Sequence, residues 1–278
     1  MSVQLVVRDG DPYWYLSPDI WVVPGSDPNG PPGVPIAGRP AYLWAHLRNL
    51  GDTGANGVRL DFYWANPALQ VLRSTATMIG SAFADVPAGG GQDTLCLVPW
   101  TPAVVNEGHE CLVVVANHPD DQLPDPLPDA FDPPGFRQVA QRNLTVLVAS
   151  ANASRRLLTV GAERREDKAV TVAAEIGGHL DKTSLVRLGI NDLRPARGNA
   201  VEVGLDLRPQ MEDRPKPGPA RIDVQVKRGT SMAVYASVRA TSLAKGEYQL
   251  VTVTERRDGR ILGGIGFIVL ADEREARS

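Results

Sequence analysis

Four histidines, two cysteines and a crowd of aspartates are the residues of this 278-residue chain best suited to chemistry. Their spacing builds none of the common catalytic arrangements. His46, His109, His118 and His179 stand apart, and none lies at a helical i, i+4 distance from another histidine or a cysteine. A structural zinc site takes four nitrogen or sulfur ligands, and neither a CxxC nor an HxxxH spacing occurs. Asp120, Asp121, Asp125, Asp129 and Asp132 crowd one loop, where carboxylates and backbone carbonyls could hold calcium. No DxDxDG spacing is present and prolines interrupt the run, so the plainer reading is a solvated loop whose charges discourage strand pairing. There is no GxSxG elbow and no phosphate loop opening a helix; Gly89-Gly90-Gly91 lies between strand patterns and reads as a turn. Arg155, Arg156, Arg164 and Arg165 are offset by Glu163, Glu166 and Asp167, so no nucleic-acid footprint is expected. The residues therefore predict no catalytic, cofactor-binding or metal-binding set. Trp14, Trp21 and Trp44 are the candidate ligand-facing aromatics, since flat rings can stack on a ligand. The competing reading has them packing over the open end of a sandwich.

The elements that must position these side chains are β-strands. The length suits two modules, and frequent, scattered glycine and proline suit a turn-rich β-protein. A net charge of −3 supplies no global pull toward nucleic acid or an anionic membrane. The opening MSVQLVVRDG has no basic n-region and only a short apolar run, so no signal peptide is expected. No stretch approaches the roughly 20 apolar residues of a membrane span. Synthesis in the cytoplasm is the expectation, with export by a dedicated machine left open. Cys96 and Cys111, on neighbouring apolar segments, are compatible with a disulfide; a reducing compartment favours two buried thiols.

Residues 41–49 alternate, with Leu43, Ala45 and Leu47 on one face and Tyr42, Trp44, His46 and Arg48 on the other. Residues 58–65 alternate again, with Leu60, Phe62 and Trp64 toward the core. Strands are also expected over 78–86, 94–100, 111–116 and 143–148, the last closing the first module as an edge strand. Residues 149–156, ASANASRR, read as the linker. Beyond it, Val170, Val172, Ala174 and Ile176 alternate. So do Val201, Val203, Leu205 and Leu207; Ile222, Val224 and Val226; and Met232, Val234, Ala236 and Val238. Asp258-Gly259 marks a tight hairpin.

Five phrases of the first half, Ser17-Pro18-Asp19-Ile20-Trp21, Arg48-Asn49-x-Gly51, Phe62-Tyr63-Trp64, Val98-Pro99-Trp100-Thr101-Pro102 and Gly108-His109-x-Cys111-Leu112, together with Gln141-Arg142-Asn143, resemble bacterial CARDB-type immunoglobulin-like domains. The resemblance covers about residues 15–148. It implies a non-catalytic adhesion or spacer module. In immunoglobulin-like sandwiches a tyrosine two residues before the second cysteine bonds back to the preceding loop. His109 stands two before Cys111, and Tyr248 stands two before Leu250, so these are the expected structural corners of the two modules.

The expected fold is all-β, two antiparallel immunoglobulin-like sandwiches in tandem over residues 1–150 and 151–278. The expected function is a non-enzymatic structural or interaction component of a larger bacterial assembly, such as a phage-like or contractile injection apparatus or a filament. Its expected partners are other protein subunits rather than a small molecule or nucleic acid. The alternatives are a carbohydrate- or surface-binding module using the three tryptophans, and a hydrolase with a metal or His–Asp site in the long loops.

Overall fold

A computed structural model of the chain describes residues 2–103, 111–149, 154–163, 165–209 and 218–271. These form two compact units. The first takes Met1–Asn66, Val71–Asn143 and Asp181–Gly189; the second takes Pro67–Gln70, Leu144–Leu180 and Ile190–Ser278. The changeover expected near residue 150 thus falls at Asn143/Leu144, and each unit also claims a short segment from the other half of the chain.

The first unit carries β1 (Leu5–Val6), β2 (Ile20–Pro24), β3 (Ala41–Asn49), β4 (Ala55–Ala65), β5 (Thr77–Val86), β6 (Gly91–Leu95), β7 (Cys111–Asn117) and β8 (Val139–Arg142). One sheet has β3 at its centre, with β1 and β2 in succession along one side and β6 along the other. The second runs β5-β4-β7-β8, all antiparallel. The alternation of 41–49 decides which side of β3 is dry: Leu43, Ala45 and Leu47 meet Leu60, Phe62, Leu112 and Val114 in the core between the sheets.

β7 departs from simple alternation because both of its faces are covered. Val113 and Val115 point away from that core into a second cluster with Cys111, Val71, Phe131 and Val139, completed by Leu123 and Phe136. The acidic, proline-rich loop supplies Leu123, Phe131 and Phe136, so it is an apolar cover over β7 rather than a solvated excursion. Its acids hold the cover in place. Asp121 accepts from the Leu5 N–H at 2.7 Å and meets Arg137 at 2.5 Å, and Asp129 accepts from the Ser74 N–H and hydroxyl, each at 2.9 Å.

The second unit carries β9 (Leu144–Ala149), β10 (Ser154–Gly161), β11 (Lys168–Ile176), β12 (Arg194–Pro195), β13 (Val201–Asp206), β14 (Arg221–Val226), β15 (Ser231–Ala240), β16 (Glu247–Arg257) and β17 (Arg260–Ala271). One sheet runs β10-β15-β13. The other runs β14-β11-β16-β17-β9, with β12 beside β16. The inward sets of β11, β13, β14 and β15 meet in a single core with Leu158, Phe267 and Leu69. Leu207 is an exception: it lies beyond the end of β13 and is exposed. The hairpin at Asp258-Gly259 has φ of 51° and 79°, the paired positive values that a two-residue turn between twisted strands requires.

Two sequence expectations are corrected. Residues 144–149 do not close the first module; β9 pairs with β17, and it does so in parallel, Leu144 opposite Gly266 through Ala149 opposite Ala271. β8 already closes the sheet beside β7, so the next apolar run is available to the second core, where Leu147 is buried. The second unit's larger sheet is therefore mixed rather than wholly antiparallel. The linker reading of 149–156 also fails in part, because β10 begins at Ser154.

The one helix among the described residues, α1 (Lys182–Arg187), belongs to the first unit. Asp181 caps it by accepting from the Ser184 N–H at 2.8 Å. Gly189, with φ of 69°, ends the segment in the left-handed conformation common after a helix.

Candidate functional site

Three of the residues singled out by sequence, Trp21, Trp44 and His46, share the outer face of the β2–β3–β6 sheet. Trp21 and Trp44 are directly opposed in the β2–β3 ladder, so their rings share a face. They stack with centroids 5.8 Å apart and planes 12° from parallel. Arg187, at the end of α1, lays its guanidinium 3.9 Å from the Trp21 ring centre. The same group donates to the Pro18 carbonyl and reaches Asp19 Oδ1 at 3.4 Å. Asp19 is fully buried and is also gripped by Arg8, whose Nε donates to Oδ2 at 2.9 Å and Nη2 to Oδ1 at 2.7 Å. Burial pulls the Arg187 pKa down, while Asp19 and Asp93 pull the other way.

This arrangement leaves Trp21 only 7 % exposed. Trp44 is half-buried and donates its Nε1–H to the Pro28 carbonyl at 2.9 Å. Trp14 is elsewhere, edge-on to Tyr15 with centroids 5.6 Å apart. The structure thus brings together two of the three candidate tryptophans and lays an arginine against Trp21.

One row further along the same face, His46 and Asp93 are opposed across β3 and β6, with Nδ1 and Oδ1 2.6 Å apart. An imidazole oriented by a carboxylate becomes a general base only with a nucleophile at its other nitrogen. Here that nitrogen faces strand backbone: a Cβ added at Gly91 would stand 2.9 Å from Nε2. Among the described residues, no three His, Cys, Asp or Glu side chains gather as a metal site. His118 lies beside the Asn56 carbonyl at 3.2 Å and lines an open cleft of ≈ 610 Å³ with Arg59, Arg73 and Asn117. Arg59 in that cleft is already paired with Asp61 at 2.7 Å. His109 lies outside the described residues.

Neither cysteine is in a disulfide, and both are buried. Cys96 belongs to the core between the sheets and Cys111 to the cluster on the outer side of β7, so their side chains lie in different apolar clusters. Burial pushes the Cys96 thiol pKa up.

In the second unit, Tyr248 lies near the start of β16 and is 1 % exposed. Its hydroxyl meets the backbone N–H of Leu180, which works against the rise in pKa caused by burial. The anchoring backbone is therefore the segment after β11, not the loop just before β16.

Sequence reasoning missed the most unusual polar group of this unit. Lys168 and Glu255 are 7 % and 0 % exposed. Lys168 Nζ donates to Gln70 Oε1 at 2.6 Å and to the Gly161 carbonyl at 2.9 Å. Glu255 Oε1 pairs with the same nitrogen at 2.5 Å, and among the described residues the carboxyl receives no other hydrogen bond. Burial pushes the Glu255 carboxyl up, with Lys168 opposing. A signal was present: Lys168 is in phase with the inward Val170 and Val172, and Glu255 with the inward Val251 and Val253.

No protein-family model and no curated protein matches the chain. Among solved structures, the red sea bream transglutaminase aligns over 98% of this chain at 11% identity and a TM-score of 0.25, and the chain spans 32% of that enzyme. The CupB6 tip adhesin from Pseudomonas aeruginosa aligns over 98% of both chains at 9% identity and a TM-score of 0.25. The calcium binding domain CBD12 of CALX1.1 aligns over 77% of this chain and 74% of its own at 9% identity and a TM-score of 0.20. Likenesses this distant carry no functional argument.

Proposed function

We propose that the protein is a non-enzymatic structural or interaction component, built from two immunoglobulin-like sandwiches and working as a subunit or adaptor in a larger bacterial assembly. The strand order of the first unit, a three-strand-wide sheet facing β5-β4-β7-β8, supports the immunoglobulin-like reading and suits the CARDB-type resemblance.

The observation that carries the reading is the edge at β5. This strand has no second neighbour among the described residues, and it exposes Met78 (43 %) and Phe83 (69 %). Leu97 and Val98 extend the apolar surface at 75 % and 46 % exposure; Val98 abuts β5, since a Cβ at Gly80 would lie 2.7 Å from its Cγ2. Monomeric proteins blunt such edges with charges, proline, bulges or a cover; β5, TMIGSAFADV, has neither lysine nor proline, and its only such devices are Asp85 and an irregularity beside Met78, which leave Phe83 exposed. An edge of this kind suits strand addition by a protein partner. The polar clusters, by contrast, are spent on internal holds: Arg187 and Arg8 on Asp19, and His46 on Asp93.

The test is the solution mass of the full chain, together with its recovery in large particles from its native host, for the wild type and for Phe83→Lys. The expected result is association that the substitution abolishes while the melting curve stays unchanged. A monomer at every concentration, with recovery in particles indifferent to Phe83→Lys, overturns the proposal.

A further inference from the structure

The surroundings of Lys168 have the parts of an amide-forming site. We propose that Lys168 and Gln70 are joined by an intramolecular isopeptide bond, formed by the folded chain itself with Glu255 as the proton carrier.

Three reacting groups meet here: Lys168 and Glu255 are buried, and Gln70 is half-buried. The amine nitrogen is 2.6 Å from the Gln70 carboxamide oxygen and 2.5 Å from a Glu255 carboxyl oxygen. Orienting partners at contact distance supplies much of what an uncatalysed amide exchange lacks. The burial of Lys168 and Glu255 weakens the case for a permanent ion pair, because burying both charges costs more than their attraction readily returns.

Gln70 is held in place. The segment Pro67–Gln70 is laced to β10 by hydrogen bonds from Leu69 N–H to the Thr159 carbonyl and from Thr159 N–H to the Pro67 carbonyl, each at 3.0 Å. Leu69 is fully buried in the core. The segment passes so close to β17 that a Cβ at Gly263 would lie 1.9 Å from the Leu69 carbonyl oxygen and 2.6 Å from the Gln70 nitrogen.

The step balances without an oxidant or reductant. Lys168 passes a proton to Glu255, and the freed amine attacks Gln70 Cδ. The Nζ–Cδ bond forms and the Cδ–Nε2 bond breaks. Of the three ammonium hydrogens, one stays on the new amide nitrogen and one reaches the departing Nε2, which leaves as ammonia. The third remains on Glu255 as a neutral acid, the form that its burial favours. Loss of ammonia to solvent makes the change one-way. The product replaces a buried ion pair by a neutral amide and ties residues 98 apart in the chain.

The test is the intact mass of the folded full-length chain, followed by a tryptic map. The expected mass is lower than the sequence mass by one ammonia. The map should hold one branched peptide joining residues 60–73 to 166–182, because trypsin does not cut at an acylated lysine. Lys168→Arg, Gln70→Ala and Glu255→Gln should each restore the full mass. A wild-type mass equal to the sequence mass, unchanged after long incubation, overturns the proposal. So does a lost ammonia that maps to a succinimide elsewhere. Neither result bears on the β5 edge.

Discussion

Arg187 makes three contacts with one group: an indole face, a backbone carbonyl and a buried carboxylate. A cation over a desolvated tryptophan contributes on the order of 1–2 kcal/mol, and a hydrogen bond involving a charge about 1.5–3 kcal/mol. Arg187→Ala should therefore lower the stability of the first unit by roughly 2.5–5 kcal/mol in denaturant melts, by the loss of these terms. It should also raise the accessibility of Trp21 to a fluorescence quencher. Tyr248 sets a second test. Tyr248→Phe leaves the buried Leu180 N–H without its partner and should cost about 1–2 kcal/mol. Tyr248→Ala adds a cavity and should cost about 3–5 kcal/mol. Equal losses would mean that the ring contributes nothing beyond its hydroxyl. Glu255 gives a pH signature. Burial holds its folded pKa above the ordinary carboxyl value, so the folded chain binds this proton more tightly than the unfolded chain. The associated stability is complete below the unfolded pKa and drains away as pH rises through the folded one. Urea melts should show the second unit weakening across that range, and Glu255→Gln should flatten the slope.

At the scale of elements, the segment Pro67–Gln70 shows how a few residues can be fixed by close approach alone. Gly263→Ala would drive a methyl group into the Leu69 carbonyl oxygen. Overpacking of this kind costs typically 1–3 kcal/mol, and because the obstacle is backbone that is itself hydrogen-bonded, the upper end is expected. A thermal melt of Gly263→Ala within error of the wild type would show that the segment can yield. Such segments are the part of the fold least legible in sequence. Strands with one dry and one wet face could be read directly, and β3, β11, β14 and β15 bury the alternating residues expected of them. Residues 67–70 carry no periodicity, because their contacts come from neighbours distant in the chain. The loop over β7 is hard to read from sequence for a related reason. Its prolines and aspartates mark an irregular backbone, but Leu123, Phe131 and Phe136 at irregular intervals are what cover the sheet. The pairing of Trp21 with Trp44 follows from strand register, which two isolated tryptophans do not reveal. Arg187 lies 166 residues after Trp21, and no local pattern links them.

For the whole molecule, the decisive feature is that neither unit is a continuous stretch of chain. The first needs Asp181–Gly189 from the later half, and the second needs Pro67–Gln70 from the earlier half. A cut at residue 150, where composition suggests a linker, would strip β9 from the second unit and remove Leu147 and Leu69 from its core. It would also take from the first unit the arginine that covers Trp21. Deleting one buried leucine typically costs about 2–5 kcal/mol, against a total of about 5–15 kcal/mol for a domain. Residues 151–278 expressed alone should therefore be unfolded or loosely packed, with poorly dispersed amide resonances. Residues 144–278 restore β9 but still lack Leu69 and Gln70, and should be intermediate. Residues 1–143 should fold around their own core and melt earlier than in the intact chain. Co-expression of 1–143 with 144–278 returns both missing segments, so the two pieces should co-purify and melt together near the intact protein. If 151–278 alone melted as sharply and as high as the second unit of the full chain, the exchanged segments would be ornament, and the compositional boundary near residue 150 would be the physical one.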